Sequence, residues 1–221
     1  MTSSIVSMPK SQVEEGSMGI RASLDPVVSP SILGMFAFSA AAFLIGAHMA
    51  HWYGSAQSAL VLFPLVLIFG GLTQFAAAAW AFGTRDPLAS AMHGTWGSFF
   101  AAYGILEILY ASGRVVRPQG AFPELAFWFI VMAAITWTIT AAARANKALT
   151  LVLGLLACAS TLEAIADLRG MNGLRMLGAY FLIASAVAGW YLASAQILRF
   201  SRLLAPHSAR RVEQNQPERA A

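Results

Sequence analysis

Residues 70–99 read GGLTQFAAAAWAFGTRDPLASAMHGTWGSF. The stretch holds the end of one long apolar run, a charged break at Arg85-Asp86-Pro87, and the start of the next run. A glycine pair precedes a glutamine at Gly70-Gly71-Leu72-Thr73-Gln74. After the break comes the cluster Gly94-Thr95-Trp96-Gly97-Ser98-Phe99. Small residues let backbones approach closely within a bilayer, where lipid gives no hydrophobic drive for helix pairing. The stretch therefore predicts two antiparallel membrane helices with polar groups placed inside them.

The rest of the chain fits that reading. Hydrophobic residues make up 58% of the 221 and charged residues only 11%, against about 25% charged in soluble domains. Mean hydropathy is +0.64. The composition predicts an all-α membrane protein with no separate soluble domain. A spanning helix needs about 20 apolar residues, and six runs qualify: 31–50, 56–82, 88–111, 125–143, 148–165 and 176–198. Residues 29–204 then form a six-helix transmembrane permease domain. Residues 1–28 are polar and acidic, without a basic head before an apolar run, so they read as a disordered cytoplasmic tail and not as a cleaved signal peptide. Residues 205–221 read as a disordered basic tail.

With both termini inside, the inner segments hold ten lysines and arginines and the outer loops four, Arg114, Arg117, Arg169 and Arg175. The asymmetry favours cytoplasmic termini. The +4 net charge is largely a property of the C-terminal tail, so no nucleic-acid partner is expected. The single cysteine, Cys158, cannot form an internal disulfide and reads as buried packing. Small residues recur along the third helix (Gly97, Ala101, Gly104) and the sixth (Gly178, Ser185, Gly189). They suit either packing inside one bundle or contacts between subunits.

Counting inward at 1.5 Å per residue, Phe38, Gln74, Trp96 and Leu156 each lie about eight residues, or roughly 12 Å, from the cytoplasmic end of their helices. Two aromatics, a leucine and an amide at one depth would form a hydrophobic constriction that acts by dewetting. Along the fifth helix, Leu156, Ser160, Glu163 and Asp167 follow at steps of 4, 3 and 4 and share one face. Glu107 lies in the outer part of the third helix. An intramembrane carboxylate faces a cavity or a partner. Glu163 and Asp167 are thus expected either to pair with Arg169 or Arg175 or to serve as protonatable groups at an outer mouth, which would suit proton-coupled uptake. His48 belongs to the same mouth. His93 lies near the inner face, away from His48 and His51, so no metal site is expected, and no cofactor. No Ser–His, Cys–His or paired-carboxylate set falls at one depth, so the chain does not read as an enzyme.

The chain resembles the acetate uptake transporter family, also called succinate–acetate permeases. The family's opening Asn-Pro-Ala-Pro-Leu-Gly-Leu appears as Ser29-Pro30-Ser31-Ile32-Leu33-Gly34-Met35, with Phe38 following. Its Gly-Gly-x-x-Gln is matched by Gly70, Gly71 and Gln74, and its Tyr-Gly-Ser-Phe by Trp96-Gly97-Ser98-Phe99. The resemblance implies a homo-oligomer, a hexamer of six-helix subunits, in the plasma membrane (the inner membrane of a bacterium). Each subunit would have its own pathway for acetate or a similar small monocarboxylate. It also implies that Phe38, Trp96 and Leu156 form the neck. Ser29, Pro30, Gly70, Gly71, Gln74, Gly97 and Ser98 would meet the solute, with Ser29 capping the first helix, the backbone at Gly70 and Gly71 admitting either a small solute or a neighbouring helix, and the amide and hydroxyl donating to the carboxylate. The asparagine, the second proline and the tyrosine are replaced by Ser29, Ile32 and Trp96. Tryptophan removes a hydroxyl, adds bulk, and offers an indole N–H in its place. The alternatives are a non-transporting structural or stress-related membrane protein, and a channel for another small solute such as formate, bicarbonate or ammonia.

Overall fold

The structure is a computed structural model that describes the backbone of residues 29–55 and 57–214 and the side chains as far as Arg199. The tail expected over 1–28 lies outside the described residues. Among those described there is no strand. The helices are α1 (Pro30–Met49), α2 (Ser58–Gly83), α3 (Pro87–Ala111), α4 (Pro123–Ala142), α5 (Lys147–Arg169) and α6 (Asn172–Gln214). The fifth begins and ends beyond the 148–165 expected. The last starts earlier than residue 176 and runs on to Gln214, into the stretch read as a tail.

Five of these helices are long and apolar enough to cross a membrane. The sixth, α3, spans 25 residues but holds His93, Glu107 and a run of small polar residues. His93 and Glu107 are 1% and 3% exposed, so their polarity is turned inward. The outward surface is apolar, with Val61, Phe82, Phe127, Trp190 and Tyr191 among its exposed side chains. Cys158 is partly exposed, short of the buried position expected.

Local chemistry sets the helix starts. Proline occupies the first turn of α1, α3 and α4, where its missing N–H has no helical partner to lose. Asp86 caps α3 by accepting from Ala89 N at 2.9 Å, and Asn146 caps α5 by accepting from Leu149 N at 3.1 Å. Ser29 does not make the cap expected of it: its side chain makes no capping bond, and only its carbonyl engages the helix, accepting from Ile32 N at 3.2 Å. Within α2 the ladder widens to a π-helix over Val66–Leu72. The wider segment begins two residues after Pro64, which cannot donate to the turn before it, and it contains Gly70 and Gly71.

The helices pack as a ring in the order α3, α2, α1, α6, α5, α4. The ring closes between α4 and α3, where contact is sparse. The small residues set the tight contacts. A methyl group added at Gly70 would meet Ala41 on α1 at 2.5 Å, and one at Gly71 would meet Ala101 on α3 at 3.0 Å. On α3, a methyl group added at Gly97 would meet Gln74 and the Gly71 carbonyl at 3.1 Å, and one at Gly104 would meet Leu67 and the Phe63 carbonyl at 3.1 Å. On α6, Gly178 lies against Glu163, Ser185 donates to Val152 O at 2.8 Å, and Gly189 lies against Ser39 and Phe38. Both small-residue stripes are therefore used inside one bundle and not between subunits. The same contacts turn Gly70, Gly71 and Gly97 to neighbouring helices.

The glycine contacts predict an asymmetric response to added volume. Gly97→Val should destabilise the bundle by about 1–3 kcal/mol through overpacking. Gly83→Ala, where nothing lies within 4 Å, should change the melting temperature in detergent little. Equal melting temperatures for the two variants would contradict this packing.

Candidate solute pathway

One wide cavity opens at the end of the bundle that carries the α1–α2, α3–α4 and α5–α6 loops. Its volume is about 1080 Å³, and its walls include His48, Tyr103, Glu107, Arg117, Glu163, Asp167 and Arg175. We call it the vestibule. The carboxylates expected at a mouth are all here, and so are two of the arginines. Arg117 bridges to Glu107 and stacks on Tyr110, 4.6 Å from the ring centre. Arg175 donates to Asp167 at 2.6 Å. Of the two acids on α5, only Asp167 takes the expected arginine. Glu163 is 5% exposed, and its Oε1 has no hydrogen-bond partner among the described residues. Gly178 leaves room for it, since a methyl group there would meet Oε1 at 2.5 Å. His48 packs between Tyr53 and Phe63, with ring centres 5.7 and 6.0 Å away.

Below the vestibule the interior narrows sharply. Glu163, Tyr103 and Phe129 also line a second cavity, together with Trp96 and Leu156. The space in it open to the centre of a water molecule is about 20 Å³. Trp96 and Leu156 in turn line a third cavity with Phe38, Gln74 and His93, where that space is about 10 Å³. One water needs about 10–15 Å³ by this measure. The series therefore descends from vestibule to single-water spaces, and Trp96 and Leu156 stand between the last two.

The structure brings Phe38, Gln74, Trp96 and Leu156 to one cavity. They come from α1, α2, α3 and α5. Phe38, Trp96 and Leu156 are 3%, 2% and 1% exposed. Phe38 and Trp96 meet edge to face with centroids 6.5 Å apart, and Phe99 and Phe100 extend the aromatic cluster, a geometry that aromatic quadrupoles favour.

Other expected site residues lie elsewhere. Ser98 is on the exposed side of α3, and its hydroxyl donates to Gly94 O at 2.8 Å, so it does not reach the cavity. Ser29 is exposed and Pro30 is buried at the start of α1; neither lines the three cavities. The indole N–H of Trp96 is not free for a solute. It donates to Thr136 Oγ1 on α4 at 3.2 Å, and that hydroxyl donates to Met132 O at 2.6 Å.

His93 and Thr136 are the residues that sequence reasoning missed. A signal for His93 existed: it stands three residues before Trp96 and so shares its helix face. No comparable signal marked Thr136, whose importance depends on what faces α4 across the ring.

A family model described as the GPR1/FUN34/yaaH family matches residues 20–207. Among solved structures, the chain is similar to one described as the bacterial acetate channel SatP. The TM-score is 0.70 at 16% sequence identity, covering 77% of this chain and 92% of that one. At that identity the likeness speaks for the fold. No curated protein matches.

The Trp96–Thr136 bond gives a test. Thr136→Val keeps the shape and removes the acceptor, leaving a buried indole N–H unpaired, at a cost of about 1–3 kcal/mol. The variant should melt lower than Thr140→Val, whose hydroxyl only donates to a carbonyl of its own helix. Equal melting would remove the bond from the account of ring closure.

Proposed function

The chain belongs to the GPR1/FUN34/yaaH family, as its opening, Gly-Gly-x-x-Gln and aromatic-Gly-Ser-Phe blocks anticipate, and we propose that it is a membrane permease or channel for acetate or a similar small monocarboxylate. The observation behind this reading is the convergence of Phe38, Trp96 and Leu156 on one cavity at the bottom of a graded series. A solute entering the vestibule meets paired arginines and acids, then Glu163, then an aromatic and aliphatic neck. The neck excludes bulk water and passes only what fits through a dewetted space. The likeness in fold to a protein described as an acetate channel supports a carboxylate as the solute. Six crossings by α1 to α6, both termini in the cytoplasm of a bacterial cell, and assembly as a hexamer are parts of this proposal.

The groups that would carry proton coupling are Glu107, Glu163 and Asp167 in the vestibule wall. Formate, bicarbonate and ammonia are the alternative solutes for the same pathway. A specific feature favours the non-transporting alternative: the two inner spaces hold a water molecule or so and no acetate. Opening them requires the neck side chains to move.

Purified protein in liposomes should carry labelled acetate. Trp96→Ala should raise that flux on the order of tenfold, as expected when about 1.4 kcal/mol leaves the barrier. Acetate flux that ignores an imposed pH gradient at clamped voltage would exclude proton coupling. Silence in both the wild type and Trp96→Ala, with folding intact by melting temperature, would favour the non-transporting reading.

A further inference from the structure

The third cavity has two polar side chains in an otherwise apolar wall, Gln74 and His93. Both are 1% exposed. Their hydrogen bonds fix which atom does what. Gln74 Nε2 donates to Gly70 O at 2.9 Å. A carbonyl only accepts, so the amide nitrogen must face it and the amide oxygen must face the other way. That oxygen, Oε1, lies 3.3 Å from His93 Nδ1. An amide oxygen also only accepts, so Nδ1 must hold the proton. In the neutral imidazole the other nitrogen, Nε2, is then a bare acceptor. Nε2 is buried and has no hydrogen-bond partner among the described residues. The ring is also held in place sterically. It lies against the Gly34 backbone on α1, closer than any side chain at position 34 would allow.

The surroundings keep this arrangement from being a charged site. The same cavity is closed by Met35 from α1, Met92 from α3, and Val152 and Leu153 from α5. The charged group whose field reaches His93 is Asp86, at the N-cap of α3. Both residues line this cavity, so the acceptor left unused at its wall is His93 Nε2, and the donor left on Gln74 is the amide N–H not spent on Gly70 O. That pair complements a group with one donor and one acceptor, such as an undissociated carboxyl or a primary amide. A carboxylate anion has acceptors alone and would face the Nε2 lone pair unfavourably.

We propose that His93 and Gln74 form a donor-selective binding site beside the neck, which takes a short carboxylic acid in its undissociated form once the neck side chains move apart to widen the cavity. The inference rests on the reading that a monocarboxylate passes this neck, and names the form it takes there. The neutral acid is also the form that crosses a dewetted, apolar constriction at least cost. His93 selects for a ligand with an O–H or N–H to give, and Gln74 acts on it as a positioning residue by fixing the tautomer.

The test is nitrogen-15 NMR of histidine-labelled full-length protein in detergent or lipid, with His93→Phe identifying the His93 signals. At pH 8 His93 should show a protonated Nδ1 and a bare Nε2. Acetamide, neutral and with N–H donors, should shift the Nε2 signal at pH 8. Methyl acetate, of similar size without a donor, and acetate at pH 8 should not. Acetate added at pH 5.5 should shift the signal relative to the acetate-free sample at the same pH. Gln74→Leu should release the tautomer lock and give a mixture. A protonated Nε2 at pH 8, or equal shifts from methyl acetate and acetamide, would overturn the proposal. Loss of acetate flux in liposomes with the acetamide shift intact would instead overturn the monocarboxylate reading and leave the donor-selective site standing.

Discussion

At the ring's weakest seam, α3 and α4 are joined among the described residues by the hydrogen bond from Trp96 Nε1 to Thr136 Oγ1. Elsewhere the helices are drawn together by small residues that admit a neighbouring backbone. Between α3 and α4 contact is sparse, and the seam is held by this bond and by Phe99 against Phe129, ring centres 5.5 Å apart. In an apolar surround a buried donor without an acceptor costs about 1–3 kcal/mol. The pair therefore fixes the rotamer of Trp96 as well as the seam. Because Trp96 stands between the two narrow cavities, the bond that closes the ring also sets how wide the interior is.

That coupling gives the tryptophan a double role. Its bulk fills the space between Phe38 and Leu156, and its N–H is already engaged on α4. The substitution relative to the family's tyrosine is thus not a replacement of one solute-facing donor by another. The polar work near the neck falls instead to Gln74 and His93, which tie α2 to α3 at 3.3 Å on the same cavity. On the other side of the neck, Glu163 forms no ion pair among the described residues, while Asp167 and Glu107 are held by Arg175 and Arg117. The arginines counted as outer-loop charges are in part vestibule residues.

Much of this was legible from residue order. The charged break at Arg85-Asp86-Pro87 marked the turn between α2 and α3, because Asp86 caps and Pro87 starts a helix. Equal depth brought Phe38, Gln74, Trp96 and Leu156 together on paper, and they meet in one cavity. The same reasoning misplaced Ser98, which the helix turns to the outer face, while at Gly70 and Gly71, where it allowed either a small solute or a neighbouring helix, a neighbouring helix approaches.

The sequence by itself determined where the apolar segments run, the turns between them and the rows of small residues, all of which depend on neighbours within a turn or two. Only the tertiary structure decided which face of each helix points inward. The physical reason is that lipid and bundle interior are equally apolar, so no hydrophobic stripe announces the buried side. Phe82, 80% exposed, and Phe100, wholly buried, are the same residue type on adjacent helices. What breaks the tie is pairing across distant segments: Gln74 with His93 and Trp96 with Thr136. Those partners lie too far apart in the chain for helical spacing to relate them, and they make the interior of residues 70–99 a narrow, polar-edged passage.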